Sequence, residues 1–144
     1  VLVNLLKAIH DVKNGDSLLV GGFGLCGIPE NLIQAVHDKG TKNLTIISNE
    51  CGSNDYGLSL LLKAKQVDTV HASFIGVNTV FEQQYLNGDI ELILPLGNLA
   101  EKIRAGGAGI PAFYSPTGRG TLLEKGLIPI RYSDKGKTVV AFSK

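Results

Sequence analysis

Ser17-Leu18-Leu19-Val20-Gly21-Gly22-Phe23-Gly24-Leu25-Cys26-Gly27-Ile28-Pro29 is the stretch on which the fold turns. Residues 17–21 form a short apolar run bounded by turn residues, the pattern of a buried strand. Gly21 to Gly27 is a glycine-rich turn, and Pro29 stands in the first turn of the helix that follows. That helix carries Leu32, Ile33 and Val36 on one face and stops at Gly40. A strand, a glycine turn and a helix in that order make the first half of a βαβ unit.

The same alternation extends to both sides. Upstream, Leu2, Leu5, Leu6, Ile9 and Val12 fall at helical spacing, and Asn14-Gly15-Asp16 ends that helix with turn chemistry. Downstream, the pattern predicts strands over 44–48, 67–75 and 90–94. Helices are predicted over 56–65, 78–86 (capped by Asn78 and ended at Asn87-Gly88) and 98–105. Four strands alternating with helices imply right-handed crossovers and a parallel sheet covered on both faces. Beyond Ala105 the character changes. Gly106-Gly107-Ala108-Gly109, then Pro111, Pro116, Gly118 and Gly120, predict a long irregular stretch with a second glycine-rich loop. Residues 128–132 and 138–142, joined through Ser133-Asp134-Lys135-Gly136, read as a hairpin. The expected class is α/β: an open, mainly parallel sheet flanked by helices, with a β-hairpin-rich C-terminal segment.

Composition narrows the function. The 144 residues carry 14 Lys and Arg against 13 Asp and Glu, a net charge of +1. That balance argues against a nucleic-acid or polybasic membrane-surface protein. A hydrophobic fraction of 44% suffices for one packed core, so residues 1–144 are expected to form a single domain. No apolar run reaches the roughly 18–20 residues of a membrane-spanning helix, and no secretory signal is visible. Cys26 and Cys51 are too few for a disulfide scaffold, so reduced thiols in a cytoplasmic setting are expected. His10, His37 and His71 lack ligand spacing with each other or the cysteines, and no metal site is expected. Methionine is absent even at position 1, and the chain stops two residues after the last predicted strand, which suggests part of something longer.

In parallel α/β sheets ligands sit outside the carboxyl ends of the strands. The residues there are the candidates. Gly22-Phe23-Gly24-Leu25-Cys26-Gly27 fits G-x-G-x-x-G after a strand and before a helix, and Glu50 stands where a ribose-binding acid would be expected. By pattern alone this is a dinucleotide site, or a tight turn with no ligand. The second glycine-rich segment is foreign to a minimal Rossmann unit.

Asn14 to Pro29 resembles, at every constrained position, the first signature of the 3-oxoacid CoA-transferases. Leu99-Ala100-Glu101-Lys102-Ile103-Arg104-Ala105-Gly106-Gly107-Ala108-Gly109-Ile110-Pro111-Ala112-Phe113-Tyr114-Ser115-Pro116-Thr117-Gly118 is similar to a second hallmark of their α subunits. Ser48-Asn49 and Ser73-Phe74-Ile75-Gly76-Val77-Asn78 match in place and order between them. The resemblance runs from the first helix to about Thr121. It is nearest to α subunits of the succinyl-CoA:3-oxoacid type and covers the N-terminal portion of the family length.

The resemblance implies transfer of coenzyme A from an acyl-CoA, typically succinyl-CoA, to a 3-oxoacid such as acetoacetate. It implies a ping-pong route through a mixed anhydride and a glutamyl-CoA thioester. CoA is then a substrate, and no permanently bound cofactor is expected. The nucleophilic glutamate belongs to the family's β subunit, in a Ser-Glu-Asn-Gly motif that this chain lacks. A β partner, in an α2β2 assembly, is therefore implied, with no catalytic residue in this chain and little activity without the partner. On that reading Asn49 and Asn78 contact the substrate, and the turn of Gly21, Gly22, Phe23, Gly24 and Gly27 packs against the partner. Gly106, Gly107 and Gly109 form the second glycine-rich loop. Asn78 is equally a plain helix cap, and Arg104 either meets a substrate carboxylate or pairs with Glu101.

Three departures bear on the site. Where relatives read Pro-Gln-Gly-Thr after the fourth strand, this chain has Pro95-Leu96-Gly97-Asn98, and Leu96 has no donor to offer a thioester oxygen. Glu50 replaces a second Asn, and Val77 replaces a Glu. Either the substrate differs or activity is impaired, so an inert relative serving as a binding or assembly module stands as the alternative. A Rossmann nucleotide-binding domain is the third reading.

Overall fold

The computed structural model describes residues 4–95, 97–118, 121–122, 129–131 and 138–143. It divides into two compact units, residues 1–94 and 95–144, each with its own sheet, where composition alone predicts a single domain.

The first unit is the alternating one. It runs α1 (Leu5–Ala8), β1 (Ser17–Leu19), α2 (Glu30–Lys39), β2 (Leu44–Ile47), α3 (Ser59–Lys63), β3 (Val67–His71), α4 (Thr79–Leu86) and β4 (Glu91–Ile93). The four strands are parallel and lie in the order β1-β2-β3-β4. Leu44, Ile46 and Val70 point to one face and are fully buried. There they join Ile33 and Val36 of α2, Leu61 and Leu62 of α3 and Phe81 of α4 in one core. Each such side chain contributes roughly 1.5–3 kcal/mol by leaving water.

Strands laid down in sequence order with right-handed crossovers put every crossover helix on the same face. This corrects the expectation that both faces of the sheet are covered. The other face carries the in-register row Leu19, Ile47, His71 and Ile93, and Leu19 is 66% exposed.

α1 is also shorter than the apolar spacing predicts. It starts with Asn4 capping Leu6 N at 2.9 Å and ends at Ala8. Beyond it, Lys39 Nζ donates to the carbonyls of Ile9, His10 and Val12 at 2.9, 2.9 and 2.6 Å. A charged donor on the C-terminal carbonyls replaces the next helical turn.

The second unit holds α5 (Leu99–Ala108), β5 (Ala112–Ser115), β6 (Pro129–Arg131) and β7 (Thr138–Ser143). The predicted hairpin is present: Ile130 pairs with Val139 in an antiparallel ladder. Its connection, residues 133–136, lies outside the described residues. β5 departs from expectation. It lies in the stretch predicted to be irregular and pairs antiparallel with β7, giving the order β5-β7-β6.

The predicted loop of Gly106, Gly107 and Gly109 is corrected as well. Gly106 and Gly107 are inside α5, and Gly109 ends it in the left-handed conformation at φ 71°. Ile110 N donates to Ala105 O at 2.9 Å, closing the last turn. The backbone ladder continues through glycine because nothing interrupts it, and the stop comes where a positive φ is required.

Candidate functional site

The carboxyl end of β1 leads into the glycine turn. Phe23 and Cys26 exchange both backbone hydrogen bonds at 3.0 Å, so Gly24 and Leu25 form the tip of a minimal hairpin. Gly22 is required on two counts: its φ is 132°, and a Cβ there would lie 2.4 Å from Ile28 Cγ2. Phe23, at the hairpin's edge, is 76% exposed. α2 begins only at Glu30, with Pro29 as an N-cap that makes no side-chain cap bond. The glycine turn therefore closes on itself before the helix starts, unlike the phosphate-cradling turn of a dinucleotide site, where the glycines open the helix.

β2 delivers the next group. Ser48 N bonds His71 O and Ser73 N bonds Asn49 O, both at 3.0 Å, which extends the ladder past both strands. Asn49 is half-buried, and its side-chain amide makes no hydrogen bond among the described residues. Glu50 follows. Its Oε1 accepts a hydrogen bond from Gly24 N, 26 residues away in sequence. Its Oε2 lies 3.3 Å from the point a Cβ on Gly76 would occupy. One carboxylate thus ties the β1 turn to the end of β2 and abuts the turn after β3. Sequence reading places Glu50 at the site but not this tie, because nothing in local spacing links positions 24, 50 and 76.

Cys51 is fully buried, and burial, aided by the neighbouring Glu50 charge, pushes its thiol up to about 12. It is chemically quiet. Cys26 is exposed on the hairpin, and both cysteines are free thiols.

At the end of β3, Phe74 and Val77 are exposed, Val77 by 79%, and Gly76 takes φ 79°. Asn78 is 1% exposed. Its Oδ1 accepts from Phe81 N at 3.1 Å, capping α4, and its Nδ2 donates to Cys51 O at 3.0 Å. Both ends of the amide are engaged within the chain, which is the cap reading. Asn54, which sequence reasoning misses, secures the same helix start by accepting from Thr79 N at 2.7 Å and Thr79 Oγ1 at 3.0 Å.

Leu96 lies outside the described residues. Gly97 belongs to the second unit, has φ 72°, and a Cβ on it would sit 3.3 Å from Thr117 Cγ2. In α5, Arg104 donates to Glu101 through Nε at 2.8 Å and Nη2 at 2.6 Å. This local pair lowers the Glu101 carboxyl and raises the Arg104 guanidinium. Among the described residues no group of three or more His, Cys, Asp or Glu side chains could hold a metal. Nor is any helix among them long and apolar enough to cross a membrane.

The strand ends of the first unit therefore bring together an unengaged amide, an unpaired carboxylate, a closed glycine hairpin and three exposed apolar side chains. The family profile described as Coenzyme A transferase matches residues 3–143. This chain belongs to the coenzyme A transferase family. The α chain of a succinyl-CoA:3-ketoacid coenzyme A transferase from Helicobacter pylori is 55% identical over 127 residues, covering 88% of this chain and 55% of that protein. A mitochondrial succinyl-CoA:3-ketoacid coenzyme A transferase 2A from Rattus norvegicus is 54% identical over 135 residues, covering 93% of this chain and 26% of that protein. The chain thus spans about half the length of the bacterial relative and a quarter of the mitochondrial one. Among solved structures, an acyl-CoA transferase from E. coli O157:H7, crystallised as a thioester complex with CoA, superposes with a TM-score of 0.78. Its sequence identity is 22%, over 98% of this chain and 32% of that one, so it attests the fold.

Proposed function

We propose that this chain is the N-terminal part of the α subunit of a 3-oxoacid CoA-transferase. In this reading it moves coenzyme A from an acyl-CoA, succinyl-CoA in the relatives' names, to a 3-oxoacid such as acetoacetate. The observation that carries the reading is the family match across nearly the whole chain, joined to identities above one half with transferase α subunits. CoA enters and leaves as a substrate, with no resident cofactor.

The chemistry divides between two polypeptides. No Ser-Glu-Asn-Gly occurs here, so the attacking glutamate is supplied by the β subunit in an α2β2 assembly. That carboxylate displaces CoA thiolate from the acyl-CoA to give a mixed anhydride. The thiolate then attacks the glutamyl carbonyl, releasing the first acid and leaving a glutamyl-CoA thioester. The second acid's carboxylate reverses the sequence and departs as its CoA ester. Each step trades one acyl bond for another, and nothing is oxidised or reduced.

This chain's share is the wall against which those carbonyls are oriented. The Asn49 amide is the donor available for a developing oxyanion or a substrate carboxylate. The closed hairpin at Gly21–Gly27, with Phe23 outermost, supports the partner side of the site. Leu96 and Gly97 are assigned to the approach of the thioester. Asn78 serves from behind by fixing the start of α4. The Gly106, Gly107 and Gly109 helix end belongs to the second unit.

The test is reconstitution. The full-length α subunit containing this segment, combined with a β partner that carries the Ser-Glu-Asn-Gly motif, should form acetoacetyl-CoA from succinyl-CoA and acetoacetate. The α subunit without its partner should form none. A stable αβ complex that is silent with every acyl-CoA donor would overturn the reading in favour of an inert assembly module.

A further inference from the structure

We propose that Glu50 determines which acids this site accepts, admitting those whose far end is uncharged and disfavouring those with a second carboxylate. The inference rests on the transferase reading and names its substrate class.

Position is the first ground. Glu50 stands one residue past Asn49 at the carboxyl end of β2, where a parallel α/β sheet takes its ligand.

The second ground is what the glycine hairpin still has to offer. Phe23 N and Cys26 N are consumed by each other's carbonyls, and Gly24 N is consumed by Glu50. Backbone donors of this kind hold anions elsewhere. Here one of them already holds the protein's own carboxylate.

The third ground is that this charge is uncompensated. The ion pairs among the described residues join His37 to Asp38, Lys63 to Asp55, Lys65 to Asp89 and Arg104 to Glu101, and none involves Glu50. Its second oxygen lies against Gly76, where the ring edge of Phe74 closes to 3.4 Å of the same point. The chain neighbours of the two glycines it meets, Phe23 and Val77, are exposed and apolar. A second carboxylate arriving here meets a fixed like charge, one hydrogen-bond donor fewer and no cation. A keto, amide or alkyl end meets none of these obstacles.

The experiment uses the reconstituted full-length αβ enzyme with acetoacetyl-CoA as donor. Succinate and succinamate serve as acceptors, equal in length and differing in the charge of the far end. Wild type should favour succinamate in kcat/KM by roughly tenfold, the size of one like-charge contact in a partly solvated site. The preference should shrink at high salt. Glu50→Gln keeps an oxygen for Gly24 N and removes the charge, so its ratio should fall toward one. A wild type that prefers succinate, or a folded E50Q with an unchanged ratio, overturns the Glu50 inference and leaves the transferase reading standing. Should E50Q fail to fold, the wild-type ratio and its salt dependence decide alone. No transfer to any acid, acetoacetate included, overturns both.

Discussion

Two glycine-rich segments of nearly the same composition end in opposite structures. At 21–27 the chain leaves a strand, makes a four-residue hairpin and is pinned by a carboxylate from the next strand. At 106–109 it stays helical until the last glycine and turns once. Glycine count does not separate them; surroundings do. Gly22 has Ile28 where a side chain would go, whereas nothing lies within 4 Å of a Cβ on Gly106 or Gly107. In the first segment glycine is demanded by φ and by space, and in the second it is merely tolerated.

That contrast gives substitutions opposite signs. Gly22→Ala should be the most damaging, destabilising by roughly 3 kcal/mol through a strained φ and contact with Ile28, read as a fall in the denaturant midpoint. A loss below about 0.5 kcal/mol would remove the distinction. Glu50→Ala, which leaves Gly24 N without its partner, should cost about 1 kcal/mol, and amide exchange should speed up at Gly24 before it does in the β2 core. Gly106→Ala should stabilise by about 0.5–1 kcal/mol, since an exposed helical position gains from a methyl group. If it destabilises instead, the helical assignment there is wrong.

The smallest effect concerns the start of α5. Arg104 holds the Glu101 carboxyl below the usual carboxylate range, so the folded state binds the proton less readily than the unfolded chain. The contribution is present above the ordinary carboxylate range and lost as pH falls through the lowered value. Both side chains are solvated, so Glu101→Gln should lower the melting temperature only slightly at pH 7 and leave it unchanged near pH 2.

The strands and crossover helices of the first unit were legible because each announces itself within about ten residues, by an apolar run, a cap or a glycine stop. Asn78 and Asn87 bracket α4 as the caps predict. β5 was hidden, since Ala112-Phe113-Tyr114-Ser115 sits between prolines and becomes a strand by pairing with β7, some 25 residues on. The uncovered sheet face was equally hidden, because strand order is a fact about neighbours in space. At the site, spacing put Asn49, Glu50 and Asn78 at strand ends. It did not separate an amide that stays available from one spent on a cap and a carbonyl.

The sequence by itself determined the alternation of elements, the glycine signatures and hence the coenzyme A transferase family. Those are local or pattern-borne properties, carried by periodicity and by residues whose backbone preferences travel with them. Only the tertiary structure decided that the helices of the first unit share one face and that Gly106 and Gly107 are helical. It alone brought Glu50 across to Gly24 and Gly76. These depend on which distant atoms compete for the same hydrogen bond or the same volume, and that competition exists only once the chain has folded.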